Sequence, residues 1–156
     1  MKIEKYVQEA KKSKFGLFKL NLGLGFIIPF NKPHGIKIIE IGTNHVKTII
    51  PYKRKNLNHI KGIHACGMAT AAEFSSGFLL LMKIGGKDYR LIMESLQMSY
   101  HYQAKKDVFA TFSVEEDWLE KTVIDPLRST EKIMVQCQIE LHDAADNHVA
   151  TGITNW

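Results

Sequence analysis

Between His64 and Met82 the sequence carries a single charged side chain, Glu73, set among Ala65, Gly67, Ala69, Ala71, Ala72, Ser75, Ser76 and Gly77, with Phe74, Phe78, Leu79, Leu80 and Leu81 filling the rest. A carboxylate taken from water into apolar surroundings is costly unless it is paired or takes up a proton. Such a group, partly desolvated and with a raised pKa, suits a general base or a carboxylate nucleophile. The same residue at an exposed helix end, or capped by a local donor, would be merely structural.

A second group of candidates precedes it, in the run Asn58-His59-Ile60-Lys61-Gly62-Ile63-His64-Ala65-Cys66-Gly67. His64 stands where a helix begins, so the amides of Ala65, Cys66 and Gly67 lack intrahelical acceptors and offer an anion or oxyanion site. Gly62 lets the entering chain bend. His64 also fits an N-cap or a core histidine, and Cys66 fits either an activated thiol at a helix N-terminus or a small buried residue. His59, His64 and Cys66 have no fourth ligand and no paired-cysteine spacing, so no metal is expected. Lys53, Arg54 and Lys55 stand just before this loop.

His64 and Glu73 are nine positions apart. At about 100° per residue they lie about 180° apart around one helix. They cannot share a site within one chain. If both act, two copies must face each other and exchange residues, as in an isologous dimer or a dimer of dimers.

The elements that must position these residues follow from periodicity. Residues 2–14 predict an amphipathic helix through Ile3, Tyr6, Val7 and Ala10; residues 15–30 are apolar and broken by glycines, and Pro29 and Pro33 bracket an irregular loop. A hairpin turns at Gly42-Thr43-Asn44. A helix over about residues 64–82 that is small or apolar all round must be buried. Four strands are expected after it, over residues 89–102, 108–114, 133–141 and 148–156, with a charged loop or short surface helix over 115–130. The order gives an α+β class in which a curved antiparallel sheet wraps one long central helix, as a single domain over residues 1–156 with residues 1–32 as an N-terminal helical extension.

Length, 45% hydrophobic and 24% charged residues exclude disordered, collagen-like and coiled-coil classes. Two cysteines, Cys66 and Cys137, give no disulfide framework and point to a reducing, cytoplasmic setting. No window approaches the ~18 uncharged apolar residues of a spanning helix, so no membrane partner is expected. A net charge of +5 favours an anionic ligand, yet no stacking aromatics interleave with the basic residues, so none is expected among nucleic acids.

At Asn58, His64 and Glu73 the chain resembles the hotdog-fold thioesterases, in particular the phenylacetate-pathway-like branch and the DUF4442 thioesterase-like group. That pattern is an Asn, then six residues on a His-Gly-Gly, then an acid nine after the His. The resemblance covers residues 33–156 and leaves residues 1–32 outside it. Ala65 and Cys66 replace the two glycines, with Gly67 displaced by one, Lys61 replaces a glycine three before the His, and the acid is Glu rather than Asp. The resemblance implies a hotdog fold and hydrolysis of an acyl-CoA thioester. Glu73 would be the general base, His64 and Asn58 would orient carbonyl or water, and the amide of Ala65 or Cys66 would hold the oxyanion. Lys53, Arg54 and Lys55 would hold the phosphates of coenzyme A, which enters as substrate; no cofactor is implied. A polar residue on the strand after the helix would be Met93, Glu94 or Ser95. Two other readings stay open: a non-catalytic protein binding an acyl group or acyl-CoA, and a hydratase or dehydratase of the same fold.

Overall fold

A computed structural model describes residues 3–85 and 89–156. The chain opens with α1 (Ile3–Lys12) and α2 (Lys14–Ile27), which form a helical hairpin. Ser13 joins them, its Oγ accepting from the amide of Gly16 at 3.0 Å as an N-cap. Residues 15–27 are thus regular helix although three glycines interrupt them. The reason is contact at Gly16, where a Cβ would lie 2.1 Å from the carbonyl oxygen of Glu9, so only glycine lets the two backbones meet. A single turn, α3 (Asn31–His34), ends at Gly35, whose φ of +64° suits glycine.

The hairpin of β1 (Lys37–Ile41) and β2 (His45–Ile50) follows. After a loop comes α4 (Ala65–Ile84), then β3 (Ser95–Tyr100), β4 (Val108–Ser113), β5 (Gln136–Asp143) and β6 (His148–Asn155). All six strands pair antiparallel in the order β1-β2-β4-β5-β6-β3. Between β4 and β5 the chain is helical, in α5 (Glu116–Leu119), a wide turn and α6 (Asp125–Ser129), with Leu119 and Val123 buried. The expected strand over residues 89–102 is shorter than the pattern suggested. Pairing with β6 starts at Ser95, while residues 89–92 run irregularly along the C-terminal half of α4 and line a cavity there.

Period-2 alternation buries Val108, Ala110 and Phe112 of β4 and Cys137, Ile139 and Leu141 of β5 against α4. By length and composition α4 would suffice to cross a membrane, contrary to the reading of the sequence, yet most of it is buried inside this sheet. Its small residues are what allow the wrap. Gly152 of β6 lies so close that a Cβ there would be 3.1 Å from the Cβ of Ala72. Thr48 donates from Oγ1 to the Ala71 carbonyl at 2.8 Å, which ties β2 to the helix in the core.

The two sheet edges differ. Beside β1, Asn21 of α2 accepts from the Ile38 amide at 2.9 Å and donates to the Ile38 carbonyl at 2.8 Å, so a side chain caps the strand as a neighbour would. The outer edge of β3 has no strand beside it among the described residues.

At Gly77 the indole of Trp156 takes the place of a side chain, its ring 2.6 Å from where a Cβ would stand, and its Nε1 donates to Ser76 Oγ and Thr154 Oγ1 at 3.1 and 2.9 Å. Gly77→Ala is therefore expected to push a rigid ring off two acceptors. Overpacking of this kind costs about 1–3 kcal/mol, and a lower urea midpoint at unchanged slope would register it.

Candidate functional site

His64 and Cys66 on one side and Glu73 on the other fall into two cavities on α4. The first, about 250 Å³, holds His64, Cys66, Gly67 and Thr70 of the helix's opening turns together with His34, Lys55 and Asn56. The second, about 410 Å³, is lined by Glu73, Phe74, Gly77 and Phe78 of the helix and by residues 89–92 and Trp156. His64 and Glu73 thus line different cavities of one chain, as their spacing requires.

His64 is the N-cap of α4. Its Nδ1 accepts from the amide of Cys66 at 3.1 Å, and its carbonyl accepts from Gly67 at 2.9 Å and Met68 at 3.2 Å. An accepting Nδ1 puts the proton of the neutral ring on Nε2, and the side chain is exposed, so a donor is left for a ligand. With Cys66 and Gly67 engaged, the amide of Ala65 is the one at the helix start without an acceptor among the described residues.

Asn58 is placed differently from Asn56. Its Oδ1 accepts from the amides of Ile60 at 3.1 Å and Gly62 at 3.0 Å and shapes the loop, and it does not line the first cavity. Gly62 is buried in that turn. Asn56, two residues earlier in a 3₁₀ turn over Arg54–Asn56, is 2% exposed. It donates to the carbonyls of His34 and Pro51 at 2.8 Å each, its Oδ1 lies 3.0 Å from His34 Nδ1, and its own carbonyl accepts the His64 amide at 2.8 Å. Sequence reasoning missed Asn56. It is the group that fixes where His64 enters the helix. Lys61, where the related pattern has glycine, adopts φ of +60°, a conformation that costs a side-chain-bearing residue about 1–2 kcal/mol.

Glu73 is half-buried, and its carboxylate has no hydrogen bond or ion pair among the described residues. Desolvation by the surrounding aromatic and aliphatic groups raises its pKa above the ordinary 4.5. Cys66 is exposed in the first cavity, not the small buried residue that was one expectation. Cys137 is buried in β5, and its thiol is pushed up to about 12 by burial, which removes it from nucleophilic chemistry. The side chain from the strand after the helix that reaches α4 is Tyr100, whose hydroxyl donates to the Ala65 carbonyl at 3.0 Å, rather than Met93, Glu94 or Ser95. Among the described residues no cluster of His, Cys, Asp or Glu could hold a metal ion.

The three basic residues are not equivalent. Lys53 Nζ donates to the Pro33 carbonyl at 3.1 Å and braces the turn at Gly35. Arg54 and Lys55 are exposed, and Lys55 borders the His64 cavity.

Solved structures share this fold. A Pseudomonas aeruginosa protein described as a probable thioesterase is 18% identical, covering 84% of this chain and 87% of its own, with a TM-score of 0.71. A Chlorobaculum tepidum protein of unknown function is 13% identical over 88% of this chain and 90% of its own, with a TM-score of 0.76. A mutant of a thioesterase enzyme from Staphylococcus aureus is 11% identical over 81% of this chain and 95% of its own, with a TM-score of 0.66. These likenesses establish the hotdog fold. No curated protein matches the sequence. The family model described as a domain of unknown function, DUF4442, matches residues 18–156, so the family's span begins inside α2 and not at residue 33 as the motif alone suggested. The chain belongs to the DUF4442 family.

Proposed function

We propose that this protein hydrolyses acyl-CoA thioesters, with each active site assembled from two chains. The observation that carries the reading is Glu73, a carboxylate with no hydrogen bond or ion pair among the described residues, on a largely apolar cavity wall that desolvates it and raises its affinity for a proton. In the proposed reaction the thioester carbonyl oxygen accepts from the Ala65 amide, with His64 Nε2 as a second donor. Glu73 of the partner subunit takes a proton from water as the water oxygen bonds to the carbonyl carbon. Collapse of the tetrahedral oxyanion breaks the C–S bond, and Glu73 returns the proton to the departing thiolate. The open outer edge of β3 supports a pairing of two chains, since an unpaired strand edge is a template for another.

A second reading is favoured by one feature. Among the described residues only the Ala65 amide is left unengaged at the helix start, so the oxyanion site has fewer backbone donors than the sequence suggested, and an acyl-binding protein without turnover would tolerate that. Incubation with a panel of acyl-CoA thioesters separates the two. Release of free thiol supports the hydrolase, binding without thiol release supports the binder, and consumption of an enoyl-CoA without thiol release would indicate a hydratase.

If coenzyme A is the carrier, its phosphates meet Arg54 and Lys55, since Lys53 is tied to Pro33. Replacing Arg54 and Lys55 together by Gln should raise KM for acyl-CoA by roughly threefold to tenfold at low ionic strength, because exposed charges attract over a range that salt screens. KM for an acyl ester of a small uncharged thiol should hold. Equal changes on both substrates would return the pair to an ordinary solvated surface.

A further inference from the structure

The charge of this protein is distributed unevenly. Residues 1–34 contain seven lysines and two glutamates, a net +5, while residues 35–156 contain fourteen basic and fourteen acidic residues and sum to zero. The entire excess therefore lies in the first 34 residues, which include the α1–α2 hairpin and the turn after it.

The same hairpin carries the most exposed aromatic groups. Along α2, Phe15, Phe18, Leu22 and Phe26 are 65%, 61%, 53% and 72% exposed. Their spacing of three, four and four residues keeps them within about 80° of one another around the helix. On its other side α2 buries Leu20 and Leu24 in the core. An apolar stripe of this size on a core helix is ordinarily covered, and here it is bare. Cations flank that face at both ends: Lys19 Nζ sits 4.6 Å above the Phe15 ring and Lys32 Nζ 5.0 Å above the Phe26 ring, with Lys11, Lys12 and Lys14 exposed nearby.

We infer that α2 is a peripheral membrane-docking helix, its phenylalanine stripe seated among the headgroups of an anionic lipid surface and its lysines on the lipid phosphates. An exposed apolar stripe with basic residues beside it is the surface that interfacial helices present to a bilayer, carried here by a helix whose other face packs in the core. Charge decides between occupants. A second copy of this chain seated on the stripe would bring two +5 surfaces together, whereas an anionic bilayer complements them. This reverses the expectation of no membrane partner, which rested on the lack of a spanning segment; interfacial binding needs none. The inference stands independently of the thioester reading, though it has a bearing on it. Beyond α2 the chain gives Ile28 to the cavity of Glu73 and Phe30 to that of His64, so a surface that seats α2 lies beside the elements bordering both.

The test is co-sedimentation of the full chain with vesicles of phosphatidylglycerol and phosphatidylcholine against vesicles of phosphatidylcholine alone. Binding is expected to the anionic vesicles and to weaken with added salt. Replacing Lys14, Lys19 and Lys32 by Gln should lower partitioning by about fivefold per lysine. Replacing Phe18 and Phe26 by Ser should abolish it with an unchanged circular dichroism spectrum, both side chains being exposed. Absence of binding to the anionic vesicles overturns the inference. So does binding that follows the lysines alone and ignores the phenylalanines, which is adsorption of a basic surface. A Phe18 and Phe26 variant that lowers the sedimenting mass in a protein that ignores vesicles would assign the stripe to self-association and overturn it equally.

Discussion

Glu73→Ala is expected to reduce thioester turnover by about 10²–10⁴-fold while leaving binding of the acyl thioester intact, because the loss is that of a general base and not of a contact to the ground state. Glu73→Gln removes the charge at nearly constant shape and should lose as much. The pH profile tells a base from a packing residue. Burial raises the Glu73 pKa above 4.5, so in the parent the rising limb of kcat/KM, where the carboxyl gives up its proton, should lie above that value. The same shift runs the other way in stability: the folded state holds the proton more tightly than the unfolded one, so the contribution of Glu73 falls as pH rises through this range. Glu73→Gln should lack that stability loss and should lack the rising limb in whatever turnover remains. Parent rates in both variants would make Glu73 structural and end the catalytic assignment.

The central helix and the strands around it were legible because their signals are redundant. A run of small residues and one carboxylate in α4, and period-2 alternation in β4 and β5, each demand the other's burial, and the sheet supplies it. What escaped depended on contacts distant in sequence or on choices between equivalent residues. Two asparagines stand in one polar loop, and only the 3₁₀ turn over Arg54–Asn56 shows that Asn56 is buried against His34 while Asn58 shapes the turn to Gly62. Tyr100 reaches Ala65 because β3 pairs with β6, which no local pattern announces. That residues 1–32 are helical was legible, but not that Gly16 is the point where α2 meets the backbone of Glu9. His64 was legible as an N-cap, but which amide it engages was not: its ring takes the Cys66 amide and leaves that of Ala65 without an acceptor among the described residues.

Two inactive variants should restore one another. His64→Ala removes the cap on Cys66 and the Nε2 donor from one cavity, and Glu73→Ala removes the carboxylate from the other, so each variant alone spoils every site of a symmetric pair. In a mixed pair the intact His64 of one chain meets the intact Glu73 of its partner at one of the two sites, while the remaining site carries both lesions. With random exchange about half the pairs are mixed and one site in two is whole, so activity should return to about a quarter of the parent value. Mixing the two purified variants under conditions that allow subunit exchange, then measuring thiol release, reads this directly. Sedimentation of the parent protein at micromolar concentration should show at least a dimer. Activity that stays at the sum of the two separate variants, in a population shown by differential tagging to have exchanged, would place His64 and Glu73 in unrelated roles. A species of 17.8 kDa alone would remove the shared site entirely.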